Sequence, residues 1–354
     1  MLPSLSIALI AFGVASVATY VLARPGGWLQ ILDHPNERSL HSTPVPRTGG
    51  LAIWAGGIAG TGVALLLFGL QPDLGWIAGT AFVVAAVSFI DDRSHVPVAA
   101  RLTAQLAAGG LLVAGGLGTR SIGLPGVELY LSGEAALLLS LLFIVWMTNL
   151  YNFMDGMDGF AGGMAVIGFG TFAMLGWVAD APVFASCSLV VAASAAGFLL
   201  FNFPPARIFM GDIGSSSLGF LAAAFMLWAA RDGTFPLWIG VLIFAPFIVD
   251  ATVTLLRRLL RRDKIWIAHK AHYYQRLVQL GWGHKSTVIA EYLLMLSCAL
   301  SAAFVLQQPP AIQWAILGLW VALFAALASM VDWHGKRISR EKNAGNNEEK
   351  NEPI

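Results

Sequence analysis

The chain has 354 residues, 57% of them hydrophobic and only 12% charged, with a formal net charge of +1. Its mean hydropathy is +0.72. A soluble domain carries roughly a quarter charged residues, so a water-soluble core is excluded and a polytopic membrane protein is implied, with no sign of a nucleic-acid partner.

Eleven apolar runs are long enough, or nearly so, to cross roughly 30 Å of hydrocarbon. They are approximately Leu2–Ala23, Leu51–Leu70, Trp76–Ile90, Leu102–Leu117, Ala135–Thr148, Phe160–Val178, Val183–Phe201, Ser215–Ala230, Leu237–Leu256, Thr287–Leu306 and Ile312–Val331. The fold class expected is therefore all-α: a membrane helical bundle of about 11 spans. The first run has no basic residue before it, and Arg24 follows it, unlike a cleaved signal peptide. Cys187 and Cys298 both lie inside apolar runs and read as small buried apolar residues, not as a disulfide or metal framework. Residues 1–334 form the membrane domain, and the polar stretch 335–354 is expected to be a disordered tail.

Lysine and arginine orient the bundle. With the N-terminus outside, 19 of the 21 fall in inside loops or the tail, leaving only Arg120 and Arg231 outside. The N-terminus is thus expected outside and the C-terminus in the cytoplasm.

The inside loops carry the polar chemistry. The first runs from Asp33 to Gly50, and its Arg47 beside Gly49 and Gly50 offers a guanidinium and bare backbone amides to an anion, or simply anchors the inside end. The second begins with Asp91 and Asp92, adjacent carboxylates suited to a divalent cation or to a solvated helix end. The third is Asn149-Leu-Tyr-Asn152-Phe-Met-Asp155-Gly-Met-Asp158-Gly159. Asn149, Asn152 and Asp155 share roughly one face if the helix continues through them. Two carboxamides and two carboxylates at the mouth of an apolar helix are costly without partners, although water at a helix end would also satisfy them. The fourth places Asp212 between glycines just before a new helix, where free amides favour a metal-held anion. The fifth holds the arginine pairs 257–258 and 261–262, then His269 and His272. The arginine pairs read equally as an interfacial helix lying on anionic lipid. The histidines lack a third ligand for zinc and suit phosphate hydrogen bonding. Asp250, inside the ninth run, either pairs with an arginine such as Arg257 or lies near the cleft.

Hard oxygen ligands favour Mg²⁺ or Mn²⁺, and a divalent cation with arginine and histidine suits phosphoryl transfer. At a bilayer edge, one substrate would be a lipid and the other a soluble phosphate ester. A secondary transporter or ion channel with membrane-embedded acids is the rival reading, but these acids sit at helix ends on one face and not at mid-membrane.

Five motifs in order resemble the polyprenyl-phosphate N-acetylhexosamine-1-phosphate transferases, the MraY- and WecA-like family. They are Pro-Arg-Thr-Gly-Gly at 46–50, Asp-Asp-Arg at 91–93, the Asn149–Gly159 stretch, Met-Gly-Asp-x-Gly-Ser at 210–215 and His-x-x-His-Tyr-Tyr-Gln-Arg at 269–276. The resemblance spans nearly the whole membrane region. It implies transfer of a sugar-1-phosphate from a UDP-sugar to undecaprenyl phosphate, with release of UMP, in a cytoplasmic cleft of the bacterial inner membrane. By position it implies that Asp91, Asp92 and Asp212 are catalytic, with Asp91 deprotonating the lipid phosphate and Asp212, assisted by Asp92, holding magnesium. Arg47, Asn149, Asn152, Asp155, Asp158, His269 and His272 become substrate-binding residues, the two histidines as diphosphate contacts. Direct attack by the lipid phosphate is preferred over a covalent aspartyl-phosphate. The split histidines and the Asp-His-Pro-Asn-Glu-Arg-Ser opening at 33–39 are more similar to the branch that starts O-antigen or wall-polymer chains (WecA/WbpL-like) than to the muramoyl-pentapeptide branch. N-acetylglucosamine or a 6-deoxy-N-acetylhexosamine is then the expected sugar. The surrounding lipid and a second copy of the chain, as a homodimer, complete the expected partners.

Overall fold

The computed structural model describes residues 2–24, 26, 29, 31–33, 35, 44–263 and 270–349. The apolar runs become helices α1 (Leu2–Leu22), α2 (Gly49–Phe68), α3 (Pro72–Ser94), α4 (Val98–Ala114), α5 (Gly133–Met154), α6 (Phe160–Val178), α7 (Pro182–Asn202), α8 (Gly211–Asp232), α9 (Leu237–Ile243) and α10 (Ala245–Leu260), then α11 (Tyr273–Leu277), a π-helical turn at Val278–Trp282, α12 (Gly283–Val305) and α13 (Pro310–Glu349). Prolines mark several starts, because a first-turn position has no intrahelical N–H bond to lose. Pro72, Pro182 and Pro246 all sit in first turns. Two short antiparallel pairs, β1 (Leu32–Asp33) with β2 (Val45–Pro46) and β3 (Ser121–Leu124) with β4 (Val127–Tyr130), lie in the α1–α2 and α4–α5 connections.

The chain is a polytopic helical membrane protein. Among the described residues nine helices are long and apolar enough to cross a membrane, or up to ten if α9 and α10 form one span. All eleven expected runs fall on helices, but two differ from a simple span. At 17 residues α4 reaches only about 26 Å. The ninth run is broken, with α10 turning 82° from α9 where Phe244 ends one helix and Pro246 enters the next. The last helix also continues beyond its apolar part to Glu349, where composition suggests disorder. A helix already nucleated propagates readily through Arg, Lys and Glu.

At the centre stands α8, buried almost throughout and packed by α3 and α5. Around it α1, α2 and α7 pack together, and α7 also lies along α6. An aromatic cluster fills the middle: Phe169, Phe172, Phe184, Phe225, Phe235 and Phe244 interlock at centroid distances of 5.3 to 6.3 Å. Cys187 and Cys298 are buried and unbridged, as their apolar surroundings imply.

The edge that matters is where the N-termini of α2 and α8 meet the C-termini of α3 and α5. Backbone bonds stitch it: Phe209 N–H donates to Pro46 O, Gly49 N–H to Phe209 O and Gly50 N–H to Met210 O, at 2.7 to 2.9 Å. The two glycine amides are thereby used, so the anion cradle expected at 49–50 is not there. The glycines serve close approach instead. A Cβ on Gly50 would run into the backbone of Gly214.

Gly50→Ala is therefore expected to cost about 1–3 kcal/mol by overpacking. Gly57→Ala, one helix face away with open space around it, should be neutral or slightly stabilising. Thermal unfolding of the two variants in detergent checks this contrast.

Candidate active site

Asp91 and Asp92 lie in the last turn of α3, both buried. Helix α3 ends here because Pro97 follows closely, and an α-helical residue is disfavoured before proline. The two neighbours diverge. Asp91 accepts from the Val96 amide (2.6 Å) and pairs with Arg101 Nη1 (2.6 Å). Asp92 reaches across to α8, where its two oxygens accept from the first-turn amides of Asp212 and Ile213, both at 3.1 Å. It thus caps a helix 120 residues away. Arg47 leans on Asp92 from the other side, donating to its carbonyl and lying 3.8 Å from its carboxylate.

Asp212 opens α8. Its Oδ1 accepts from Asn152 Nδ2 at 3.0 Å, and its Oδ2 lies 3.6 Å from Arg101 Nη1. Arg101 therefore stands between Asp91 and Asp212. Asn152 Nδ2 also donates to Ser215 Oγ at 2.9 Å. Helix α5 stops at Met154, so the shared face ends before Asp155, which caps the helix. The Asp155 carboxylate has no hydrogen bond or ion pair among the described residues. Desolvation, with the charges of Asp212 and Asp92 added, pushes its pKa up to about 8.

The remaining sequence candidates divide. Asn149 turns toward α4, donating to Gln105 Oε1 (2.6 Å) and Val145 O (2.7 Å), and so lies off the carboxylate cluster. Asp158 accepts from the Ala206 amide (3.0 Å) and faces His284 Nδ1 (3.6 Å), which ties the α5–α6 loop to its neighbours. His272 is buried against Asp250, 3.1 Å from Nδ1. This answers the open question about Asp250, because Arg257 pairs with Asp332 instead (2.6 Å). His269 lies outside the described residues.

Arg101 was counted in the sequence only as an inside-facing charge, and its functional placement had no local signal. The same holds for Gln105 and His284. Arg101 pairs with Asp91 nearby but also with Asp212 from α8, and Gln105 and His284 meet Asn149 and Asp158 across long stretches of chain.

No three of the described histidine, cysteine and acidic side chains converge into a complete metal-ligand set. A magnesium ion, which keeps much of its water and takes substrate phosphate oxygens, would need only one or two protein carboxylates. Asp212 and the unpartnered Asp155 are the carboxylates suited to it, because both oxygens of Asp92 are already engaged by amides. Between α9, α10, α12 and α13 lies an apolar cavity of about 1040 Å³, lined by none of the clustered residues Asp91, Asp92, Arg101, Asn152, Asp155 and Asp212. Arg257, Tyr273 and His334 contribute to its wall.

The chain is similar to known proteins over most of its length. The family described as glycosyl transferase family 4 matches residues 74–230. A probable undecaprenyl-phosphate N-acetylglucosaminyl 1-phosphate transferase of Bacillus subtilis (strain 168) is 33% identical over 291 residues, which is 81% of this chain and 80% of the relative. A decaprenyl-phosphate N-acetylglucosaminephosphotransferase of Mycobacterium leprae (strain TN) is 32% identical over 78% of this chain and 77% of its own length. The undecaprenyl-phosphate alpha-N-acetylglucosaminyl 1-phosphate transferase of Escherichia coli (strain K12) is 26% identical over 77% and 75% respectively.

Asp92 and Asp155 should respond oppositely to loss of charge. Asp92→Asn leaves one first-turn amide of α8 facing a donor and should cost about 1–3 kcal/mol. Folded Asp155 keeps its proton until about pH 8, whereas an unfolded carboxyl releases it near pH 4. The folded state therefore binds the extra proton across that window, and this group makes the metal-free protein less stable as pH rises through it. Asp155→Asn is expected to flatten that decline without lowering stability. Thermal melts of chelated protein at several pH values read both effects.

Proposed function

The chain belongs to glycosyl transferase family 4, the polyprenyl-phosphate N-acetylhexosamine-1-phosphate transferases, and on that premise we propose that it moves a sugar-1-phosphate from a UDP-sugar to undecaprenyl phosphate. The observation that carries the reading is the meeting of Asp91, Arg101, Asn152, Asp155 and Asp212 at one edge of a membrane bundle. Carboxylates so placed, with few arginines to balance them, suit a cation-bridged phosphate. A transporter is not favoured. The acids meet at one end, and the relatives that match most of the chain are transferases.

In the reaction an oxygen of the lipid phosphate bonds to the sugar-side phosphorus of the donor. The bond from that phosphorus to the bridging oxygen breaks, and UMP leaves with the bridging oxygen. A phosphate monoester loses its second proton near pH 6, so the nucleophile needs positioning more than a base. Asp91 is committed to Arg101 and the Val96 amide, and we assign it to orienting that guanidinium rather than to proton removal. Arg101 then offers its charge to a phosphate beside Asp212. Asn152 holds Asp212 by one carboxylate oxygen. Asp92 and Arg47 set the position of the α8 N-terminus and with it Asp212. A bound Mg²⁺ or Mn²⁺ ion, held by Asp212 with Asp155, would neutralise the diphosphate and the leaving UMP. The apolar cavity against α10 suits an isoprenoid tail. The positive-inside pattern supports a cytoplasmic cleft in the bacterial inner membrane, where UDP-sugars are available. N-acetylglucosamine is the sugar carried in the relatives' names and is the first donor to test. A 6-deoxy-N-acetylhexosamine is the second.

Purified protein given undecaprenyl phosphate, Mg²⁺ and UDP-N-acetylglucosamine should release UMP, and omission of lipid or chelation of the metal should stop it. Asp212→Asn is expected to lower turnover by about 10²-fold or more with unaltered folding. Release that persists without lipid or metal would contradict the proposal.

A further inference from the structure

Asp250 is a buried carboxylate on α10, and the chemistry above makes no use of it. Four groups converge on it. Thr254 Oγ1 and the Tyr273 amide donate to Oδ1, each at 3.0 Å, and the Tyr274 amide donates to Oδ2 at 3.1 Å. The Nδ1 of His272 lies 3.1 Å from Oδ1. A carboxylate facing Nδ1 fixes both the plane and the tautomer of an imidazole. Neither arginine near it competes, since Arg257 and Arg276 both turn to Asp332 (2.6 and 2.5 Å).

From this anchor the contacts lead back to the cleft. Tyr274 is fully buried, its ring packed on Phe160 at 4.7 Å and stacked on His272 at 5.9 Å. Its hydroxyl lies 3.4 Å from Phe153 O, and a Cβ on Gly156 would strike that hydroxyl. Tyr274 thus sits directly beneath the bend that carries Asp155. The two ends of this chain of contacts come from the last inside loop and from the α5–α6 loop. On α10, Phe247 packs on Phe160 at 4.7 Å and the Arg257 guanidinium lies over Tyr273, while Asp250 takes the Tyr273 and Tyr274 amides.

We propose that Asp250 is a positioning residue for donor binding: it seats His272 and α11 on α10 and, through Tyr274, sets the bend bearing Asp155. The proposal rests on the transferase reading for its substrate, but its mechanical part does not. The uncompensated alternative, an acid buried only to hold α10, would leave the α5–α6 loop and the donor unaffected.

Two readouts on full-length protein separate these. Hydrogen exchange followed by mass spectrometry on Asp250→Asn should show faster exchange, by roughly ten-fold, both in the 272–278 segment and in the 153–160 segment. In steady-state turnover, the same variant should raise KM for UDP-N-acetylglucosamine by roughly ten-fold while kcat and the KM for the lipid acceptor change far less. Thr254→Val, which removes one of the four donors, should show the same pattern more weakly, and it serves if Asp250→Asn fails to fold. Faster exchange confined to 272–278, or an unchanged donor KM in a variant that exchanges faster, would overturn the proposal. Wild-type protein that never releases UMP would contradict the transferase reading, with the exchange result still deciding the mechanical part.

Discussion

The carboxylate of Asp92 closes the first turn of α8 from another helix, and the rest of the site depends on that bond pair. A helix N-terminus leaves amides without partners and carries a partial positive charge. At the edge of a hydrocarbon layer those amides cannot rely on bulk water. Asp92 satisfies two of them, joins α3 to α8, and draws Arg47 in as its counter-charge. Once α3 and α8 are locked in register, Asp91 and Asp212 must face each other across Arg101. The glycine contact between α2 and α8 makes the same edge tight enough for the backbone of residues 46–50 to pair with 209–210.

The consequence is a division of labour among similar side chains. Asp92 and Asp158 hold backbone amides, and Asp250 holds a loop and an imidazole. Asp91 is neutralised by an arginine. The carboxylate of Asp155, beside Asp212, has no hydrogen bond or ion pair among the described residues. Two carboxylates placed side by side repel each other, and a cation or a substrate would offset that repulsion. The apolar cavity next to α10 offers a lipid-shaped space in the same bundle. Its position follows from the 82° turn at Phe244, which swings α10 away from the line of α9.

Much of this was legible in the sequence. The eleven apolar runs all became helices, and charge asymmetry gathered the polar loops on one side. The Asp91–Asp92 pair, the three-residue spacing of Asn149, Asn152 and Asp155, and Asp212 between glycines at a helix start singled out these loops. What the sequence could not distinguish was which acid is structural. Asp92 and Asp212 are both carboxylates at helix ends, yet one caps a distant helix and the other faces the cleft. Gly49 and Gly50 read as amide donors to an anion, but their amides close a backbone pairing with residues 160 positions away. Arg101 looked like any inside-facing cation. Asn149 kept its helical spacing but turned to Gln105. In each case the deciding contact is long-range, and local pattern carries no information about it.

The most direct test of a cation-completed carboxylate site is calorimetric titration of Mg²⁺ into chelated protein with UDP present, near neutral pH, in buffers of differing protonation enthalpy. One ion per chain should bind with release of a proton, because Asp155 holds one until about pH 8. Both the binding and the proton release should disappear in Asp212→Asn. Binding that is unchanged in that variant, or that releases no proton, would contradict the assignment of Asp212 and Asp155 as the pair the cation completes.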